Sequence, residues 1–280
     1  MHKKGVVVID KPSGPTSHEV ASWVADILGV EKAAHTGTLD PRVTGCLPVL
    51  FGPAARVSGL FADETKEYVF VLELHDEPSR SVADVFDEFE GSIYQRPPVQ
   101  GSAKRELRVR EIDTLELLER GEGEGAHGRR YLGRVECDAG TYVRKLCHDI
   151  GLALGVGGHM AELRRTRSGG FTVEEACYLQ DIVDAVAVYD DEPEKLDAFV
   201  TPLVEVLESH LRLPRIEAAQ NTVESLGNGA PLYAPGVLQV GEDVEEGDRC
   251  VVVAEGEALC VGTYRGEDAE PVVTPETVVV

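Results

Sequence analysis

The sequence is poor in the patterns that build metal centres and disulfide-stabilised folds. Its six cysteines include no C-x-x-C pair, and its eight histidines include no His-Glu-x-x-His pattern. We therefore expect no metal ion, and we expect the cysteines to be small buried side chains in a reducing compartment.

Long apolar segments are also missing. The longest runs, such as residues 6–9 and 69–72, have the length of strands, whereas a membrane-spanning helix needs about 20 apolar residues. No signal-peptide pattern opens the chain, so we expect a cytoplasmic protein without a membrane partner. At 280 residues the chain is long enough for two domains.

Lysine is scarce and acidic residues are abundant. Arginine outnumbers lysine by 19 to 8, and the net charge is −23. The charge is uneven: −7 for residues 1–95, +3 for 96–173 and −19 for 174–280. A strongly acidic surface with few lysines leads us to hypothesise a halophilic source. At ~1 M salt the Debye length is only ~3 Å, so binding of a charged partner would depend on close contacts.

The most informative segment is residues 35–45 (HTGTLDPRVTG), which presents Asp40 between two glycines. Pro41 fixes its own φ and biases Asp40 towards an extended conformation, while Gly37 and Gly45 allow a turn or a close approach to a ligand. A carboxylate held in this way suits catalysis. An isolated Asp-Pro pair, by contrast, is usually only a turn.

This segment resembles the catalytic loop of TruB-type pseudouridine synthases, and residues 42–45 resemble the archaeal and eukaryotic dyskerin branch. Further blocks that resemble this family occur in the family's order. They are residues 5–17 (GVVVIDKPSGPTS), 66–69 (KEYV), 96–98 (RPP), 139–144 (AGTYVR) and 163–165 (LRR).

The resemblance implies an α+β fold with a mixed, largely antiparallel sheet flanked by helices in the catalytic domain, at residues 1–205. Residues 211–280 are expected to form a PUA domain with an acidic tail: residues 211–266 resemble this small RNA-binding β-barrel, and the tail follows Arg265. A plain acidic β domain is the alternative. The change of composition around residues 202–214 is the expected boundary.

The resemblance also implies the reaction: isomerisation of uridine to pseudouridine in RNA, without a cofactor. The catalytic residues would be Asp40, as nucleophile or as base, Tyr68, which stacks on the flipped uracil and could assist removal of the C5 proton, and Arg144, which pairs with Asp40. The substrate pocket would include His35, Gly37, Thr38 and Leu163. The basic residues expected at RNA are Lys11, Arg96, Lys104, Arg105, Arg108, Arg164 and Arg165. The arginines and Lys104 could equally lie on a solvated face, and Lys11 and His35 are expected to shape the active-site loops rather than to react.

Four alternatives stay open at this point. The enzyme could act as the catalytic subunit of an H/ACA ribonucleoprotein with small partner proteins, or alone on the tRNA T-loop. It could also be an RNA-binding scaffold with an idle site, or a small-molecule enzyme on the same fold. Residues 99–103 depart from the pattern of archaeal relatives, and only four residues precede the first block, which could weaken guide-complex assembly.

Periodicity predicts the local structure. We expect strands at residues 5–9, 67–74 and 131–137, and a glycine-rich loop at 121–128. Helices are expected at 81–90, at 141–154, and between a capping box at Thr16 and Glu19 and a stop at Gly29. In that first helix Val20, Trp23 and Val24 should share the buried face.

Overall fold

The computed structural model describes residues 2–96, 106–121 and 129–280. The predicted loop at 121–128 and the predicted RNA contacts Lys104 and Arg105 therefore lie largely outside the described residues. Two sheets organise the chain. The larger contains β1 (Gly5–Lys11), β2 (Ala33–His35), β3 (Thr44–Phe51), β4 (Lys66–Leu74), β5 (Gly91–Gln95), β6 (Arg108–Arg120), β7 (Arg130–Cys137), β8 (Gly158–Ser168) and β9 (Phe171–Thr172).

The order of the larger sheet is β1-β3-β8-β4-β7-β6-β5, with β2 added on β3 and β9 on β8. Within the described residues, only the pairing of β3 with β8 is parallel in this sheet. The helices are α1 (Ser17–Leu28), α2 (Val82–Asp87), α3 (Val143–Ala153), α4 (Leu179–Ala187), α5 (Glu194–Asp197), α6 (Leu203–Ser209) and α7 (Val223–Gly227). The predicted α+β class is confirmed.

The first helix begins and ends where the sequence predicts. The hydroxyl of Thr16 accepts from the backbone N–H of Glu19 at 3.1 Å, and the Glu19 carboxylate accepts from the N–H of Thr16 at 2.8 Å. Gly29 ends the helix with φ 64°. Trp23 is the exception, because it remains 43% exposed while Val20 and Val24 are buried. It lies at the edge of the apolar stripe, and its ring therefore does not enter the core.

The strands at 5–11, 66–74 and 130–137 confirm the predicted ones. On β4 the alternation buries Phe70, Leu72 and Leu74 against α2 and α3. Both helices are shorter than predicted, since α2 ends at Asp87 and α3 begins at Val143. The six cysteines are buried and unpaired, as expected.

The smaller sheet contains β10 (Arg215–Ala218), β11 (Val237–Val240), β12 (Arg249–Ala254), β13 (Glu257–Tyr264) and β14 (Val273–Val278), in the order β11-β10-β12-β13-β14. The presence of β14 corrects one expectation. The segment after Arg265 is not a loose acidic tail, because its last residues pair with β13 and complete the sheet.

The two sheets share a hydrophobic core. Val6 of β1 and Val206 of α6 belong to the same buried cluster as Val251, Val261 and Val279 from the second sheet. The composition change at 202–214 therefore does not mark an open linker, since α6 lies there and fills the interface. Finally, no helix in the described ranges is long and apolar enough to cross a membrane.

Candidate active site

The loop that carries Asp40 is held from below by Lys11. The Lys11 side chain is fully buried, and its ammonium donates to the carbonyls of Pro12, Pro41 and Val43, each at 2.9 Å. Burial lowers the pKa of Lys11, as does the nearby charge of Arg165, while Asp40 acts in the opposite direction. One cation at the end of β1 therefore satisfies three carbonyls of the motif loops and fixes their course.

Further contacts fix both ends of the loop. The hydroxyl of Ser17 accepts from the N–H of Leu39 at 2.8 Å and donates to its carbonyl at 3.1 Å. At the other end, Gly45 has φ 100°, and a Cβ there would overlap the carbonyl oxygen of Arg165. Only glycine meets both conditions, so Gly45 lets β3 pair closely with β8 just after the loop.

Asp40 forms an ion pair with Arg144, which comes from the start of α3. The Asp40 side chain is 54% exposed and that of Arg144 45%, so both groups can be reached from solvent. The predicted pairing is present in the structure. The adjacent guanidinium holds a carboxylate oxygen of Asp40 in a fixed orientation at the mouth of the site.

The start of α3 is itself positioned by Gln95 at the end of β5. The buried Gln95 amide donates to the carbonyl of Tyr142 at 3.2 Å and accepts from its N–H at 2.8 Å. Gln95 was not predicted as a site residue. The only signal was its place directly before the 96–98 block, whereas the contact depends on folding two distant segments together.

A cavity of about 410 Å³ lies beside Asp40. Tyr68 and Leu163 form part of its wall, and Tyr68 lies opposite Arg165 in the pairing of β4 with β8. Burial raises the pKa of Tyr68, so its phenol is neutral at physiological pH and Arg165 only partly offsets this. The cavity thus combines one carboxylate, a neutral aromatic ring and an apolar wall, which suits a flat uncharged base.

The predicted pocket residues are only partly brought together. Gly37, Thr38 and Leu163 line the cavity, but His35 does not. Burial, and then the charges of His18 and Arg165, lower the pKa of His35 to about 4. The ring is therefore neutral at physiological pH, and it lies 4.7 Å from the His18 ring, beside the loop rather than in the cavity.

A second, larger cavity of about 810 Å³ adjoins the other side of the Asp40–Arg144 pair. It is lined by Arg42 and by residues 160–163 of β8. The ion pair borders both spaces, so a polymer chain could cross the larger cavity while one of its units occupies the smaller.

Burial excludes a surface phosphate contact for two of the basic residues expected at RNA. Lys11 is fully buried and Arg165 is 1% exposed, although Arg165 lines the cavity beside Asp40. Arg164 makes two hydrogen bonds to the Asp10 carboxylate, at 2.9 and 2.8 Å, although its side chain is 40% exposed. Arg96 is exposed and Arg108 half-buried, so both remain available to a polyanion.

Lys66 is a second site residue that the sequence analysis does not assign. It belongs to the 66–69 block, and in the structure it is 5% exposed and lines the cavity. The signal was its spacing: on a strand, Lys66 lies on the same face as Tyr68 and Phe70. Among the described residues, no cluster of three histidine, cysteine or acidic side chains could hold a metal ion.

Three family models match the chain. They are the TruB family pseudouridylate synthase N-terminal domain at residues 25–83, the tRNA pseudouridylate synthase B C-terminal domain at 144–208, and the PUA domain at 214–270.

Similar proteins carry names that agree with these family models. A probable tRNA pseudouridine synthase B from Haloarcula marismortui is 48% identical over 267 residues, which cover 92% of this chain and 82% of that protein. A protein of the same name from Halobacterium salinarum is 44% identical, covering 99% and 94%. The hypothesis of a halophilic source agrees with these relatives.

Solved structures match almost the whole chain. A chain of a Cbf5-Nop10-Gar1 complex superposes with a TM-score of 0.81 at 39% identity, covering 99% of this chain and 85% of that one. A chain of an H/ACA ribonucleoprotein bound to a substrate RNA containing 2′-deoxyuridine gives a TM-score of 0.78 at 38% identity, with the same coverage.

Proposed function

The chain belongs to the TruB family of pseudouridine synthases, and on this premise we propose that Asp40, Tyr68 and Arg144 isomerise a uridine of RNA in the cavity beside Asp40. The protein is an isomerase that acts on uridine in RNA. The observation that carries the residue assignment is the ion pair of Asp40 with Arg144 at the entrance of a base-sized cavity.

The reaction breaks the bond from C1′ of the ribose to N1 of the base and forms a bond from C1′ to C5. The electron pair of the broken bond stays on the base, and the proton on C5 is lost after the new bond forms. Asp40 either attacks C1′ as a nucleophile or removes a ribose proton as a base. Both routes need an ionised carboxylate, which Arg144 supports as its counter-charge.

Tyr68 and Leu163 would hold the base after it leaves the RNA stack. Flipping a base costs a few kcal/mol, and contacts inside the pocket and along the backbone offset this. The neutral phenol of Tyr68 favours stacking over proton removal, because burial raises its pKa. Proton removal from C5 then falls to another group or to solvent.

For the substrate, we favour RNA presented by a guide in an H/ACA ribonucleoprotein, with small proteins bound to the catalytic domain. The support is the near-complete match to chains from a Cbf5-Nop10-Gar1 complex and from an H/ACA ribonucleoprotein with substrate RNA. Action on tRNA alone is the second candidate, supported by the name of the similar proteins, tRNA pseudouridine synthase B. Either substrate would meet the enzyme in the cytoplasm.

The experiment compares wild type with Asp40→Asn on RNA labelled with tritium at C5 of uridine, in high KCl. Tritium is released only when C5 loses its hydrogen. We expect the wild type to release tritium and Asp40→Asn to be slower by about 10³-fold or more, as for loss of a catalytic nucleophile or base. Asp26→Asn, an exposed carboxylate on α1, is the matched control and should keep full activity.

The same assay separates the alternatives. Release from a tRNA transcript without other components indicates stand-alone action. Release only after guide RNA and the small proteins are added indicates the ribonucleoprotein. Full activity of Asp40→Asn would refute the role of this carboxylate, and a wild type inactive on every RNA would favour the scaffold with an idle site.

A further inference from the structure

Two cations of the cavity lack an anionic partner. Among the described residues, the buried charged side chains are Lys11, Lys66 and Arg165, and no carboxylate is among them. Lys11 is accounted for by its three carbonyls, whereas Lys66 and Arg165 line the cavity beside Asp40. Neither forms an ion pair with a described residue.

The ammonium of Lys66 is anchored but not saturated. It donates to the carbonyl of Glu64 at 2.8 Å and lies 3.5 Å from that of Phe61. An ammonium has three N–H groups. One donor therefore remains for a group that enters the cavity.

Arg165 is anchored in the same manner. Its Nε donates to the carbonyl of Cys46 at 2.8 Å and its Nη2 to that of Gly37 at 3.0 Å. A Cβ built on Gly37 would lie 3.3 Å from Nη1 of Arg165 and 3.7 Å from Cε of Lys66. Both cationic side chains thus approach the same space beside Gly37, and the absence of a side chain there leaves room for them.

Two like charges held close together out of water oppose each other and oppose folding. Burial, followed by the charge of Arg165, lowers the pKa of Lys66 to about 8, while Glu64 acts in the opposite direction. Unpaired buried charges that line a cavity are typical of functional sites, where a substrate supplies the opposite charge.

We propose that Lys66 and Arg165 stabilise the negative charge that develops on the uracil when its bond to the ribose breaks. This rests on the proposed function and deepens it. The electron pair of the C1′–N1 bond moves onto the base and spreads over its ring nitrogens and carbonyl oxygens. Donors fixed where charge develops stabilise the transition state more than the neutral substrate. The charge leaves the base again when C5 bonds to C1′, and the proton then lost from C5 is balanced by a proton taken up at N1.

The first test replaces Lys66 by methionine, which keeps the unbranched apolar part of the side chain and removes the ammonium group. We expect the single-turnover rate to fall by about 10²-fold, as on removal of one donor from an oxyanion site, with little change in the dissociation constant of the RNA. Lys195→Met, an exposed lysine of α5, is the control. Thermal unfolding in high KCl checks that the Lys66 variant is folded.

A second substrate distinguishes a catalytic from a purely structural lysine. If Lys66 were only structural, the rate deficit of Lys66→Met would be the same with both substrates. In 5-fluorouridine the base leaves as a more stable anion, so it needs less help from Lys66. The deficit of Lys66→Met in cleavage of the C1′–N1 bond should therefore be clearly smaller with RNA containing 5-fluorouridine. An equal deficit with both substrates would overturn the proposal.

The pH profile provides an independent reading. Because Lys66 is a cation only below about pH 8, the wild-type rate should fall as pH rises above that value, and Lys66→Arg should remove this fall. The charged and titratable groups that act on Lys66 are Arg165, Arg167, Glu64 and Cys46, and burial raises the pKa of the Cys46 thiol to about 12. Lys11, whose pKa is also lowered, is unchanged in the variant.

The outcomes also separate this proposal from the proposed function. A wild type without activity on any RNA would contradict the function itself. An active wild type with an unimpaired Lys66→Met would overturn only the role of the two cations. Weaker RNA binding at an unchanged rate would also overturn it, since Lys66 would then meet a phosphate rather than the base.

Discussion

At the scale of single residues, burial decides what a basic side chain does. Lys11, Arg164 and Arg165 occur in motif blocks and were all expected at RNA. The structure buries the side chains of Lys11 and Arg165 inside the site. Arg164 instead makes two hydrogen bonds to the carboxylate of Asp10. A motif therefore locates the site correctly but does not tell which of its cations face outwards, because that depends on neighbours from distant segments.

Lys11→Met tests the structural role of this lysine. The substitution leaves the carbonyls of Pro12, Pro41 and Val43 without their donor. We expect the free energy of unfolding to fall by about 2 kcal/mol, since lost hydrogen bonds outweigh the relief of burying a charge. Denaturant titration in high KCl measures this, with Lys195→Met as the exposed control. A fully stable variant with normal activity would contradict the role.

At the scale of elements, the site lies where strands from different parts of the chain meet. β1 supplies Lys11, β3 follows the Asp40 loop, β4 supplies Lys66 and Tyr68, and β8 supplies Arg165. The parallel contact of β3 with β8 at residues 44 and 45 brings the loop against Arg164 and Arg165. This contact depends on Gly45.

Gly45→Ala should disrupt that contact. A Cβ at this position overlaps the Arg165 carbonyl and the φ of 100° is unfavourable for alanine. Gly14→Ala is the matched control, because Gly14 has φ 123° but no atom lies within 4 Å of its Cβ position. We expect Gly45→Ala to be less stable than Gly14→Ala by about 2 kcal/mol, since only the former adds a clash to the strain. Equal thermal midpoints would contradict this.

At the scale of the whole molecule, the acidic charge is concentrated in the C-terminal part of the chain, whereas the hydrophobic core joins both sheets. The net charge of −19 in residues 174–280 divides into −9 for residues 174–214 and −10 for residues 215–280, which contain the second sheet, whereas residues 96–173 carry +3. The shared core of Val206 with Val251 and Val261 joins the two sheets into one structure. Self-repulsion of the acidic surface therefore acts on the stability of the entire chain.

The thermal midpoint should consequently rise with KCl, and the protein should lose structure well below molar salt. Screening weakens repulsion between surface carboxylates, and the Debye length falls from ~10 Å at 0.1 M to ~3 Å at 1 M. Replacing the exposed Glu242, Asp243 and Glu246 by their amides should shift this dependence to lower KCl. A midpoint independent of KCl, or full activity in dilute buffer, would refute salt adaptation.

The sequence by itself determined the family, the α+β class, and three of the strands and three of the helices. These are local properties: a capping box at Thr16, alternation along β4 and a proline after Asp40 act through neighbours in the chain. Only the tertiary structure decided that Gln95 positions α3, that Lys66 and Arg165 share a cavity, and that β14 completes the second sheet. Those contacts join segments far apart in sequence, and their energies depend on burial, which no local pattern specifies.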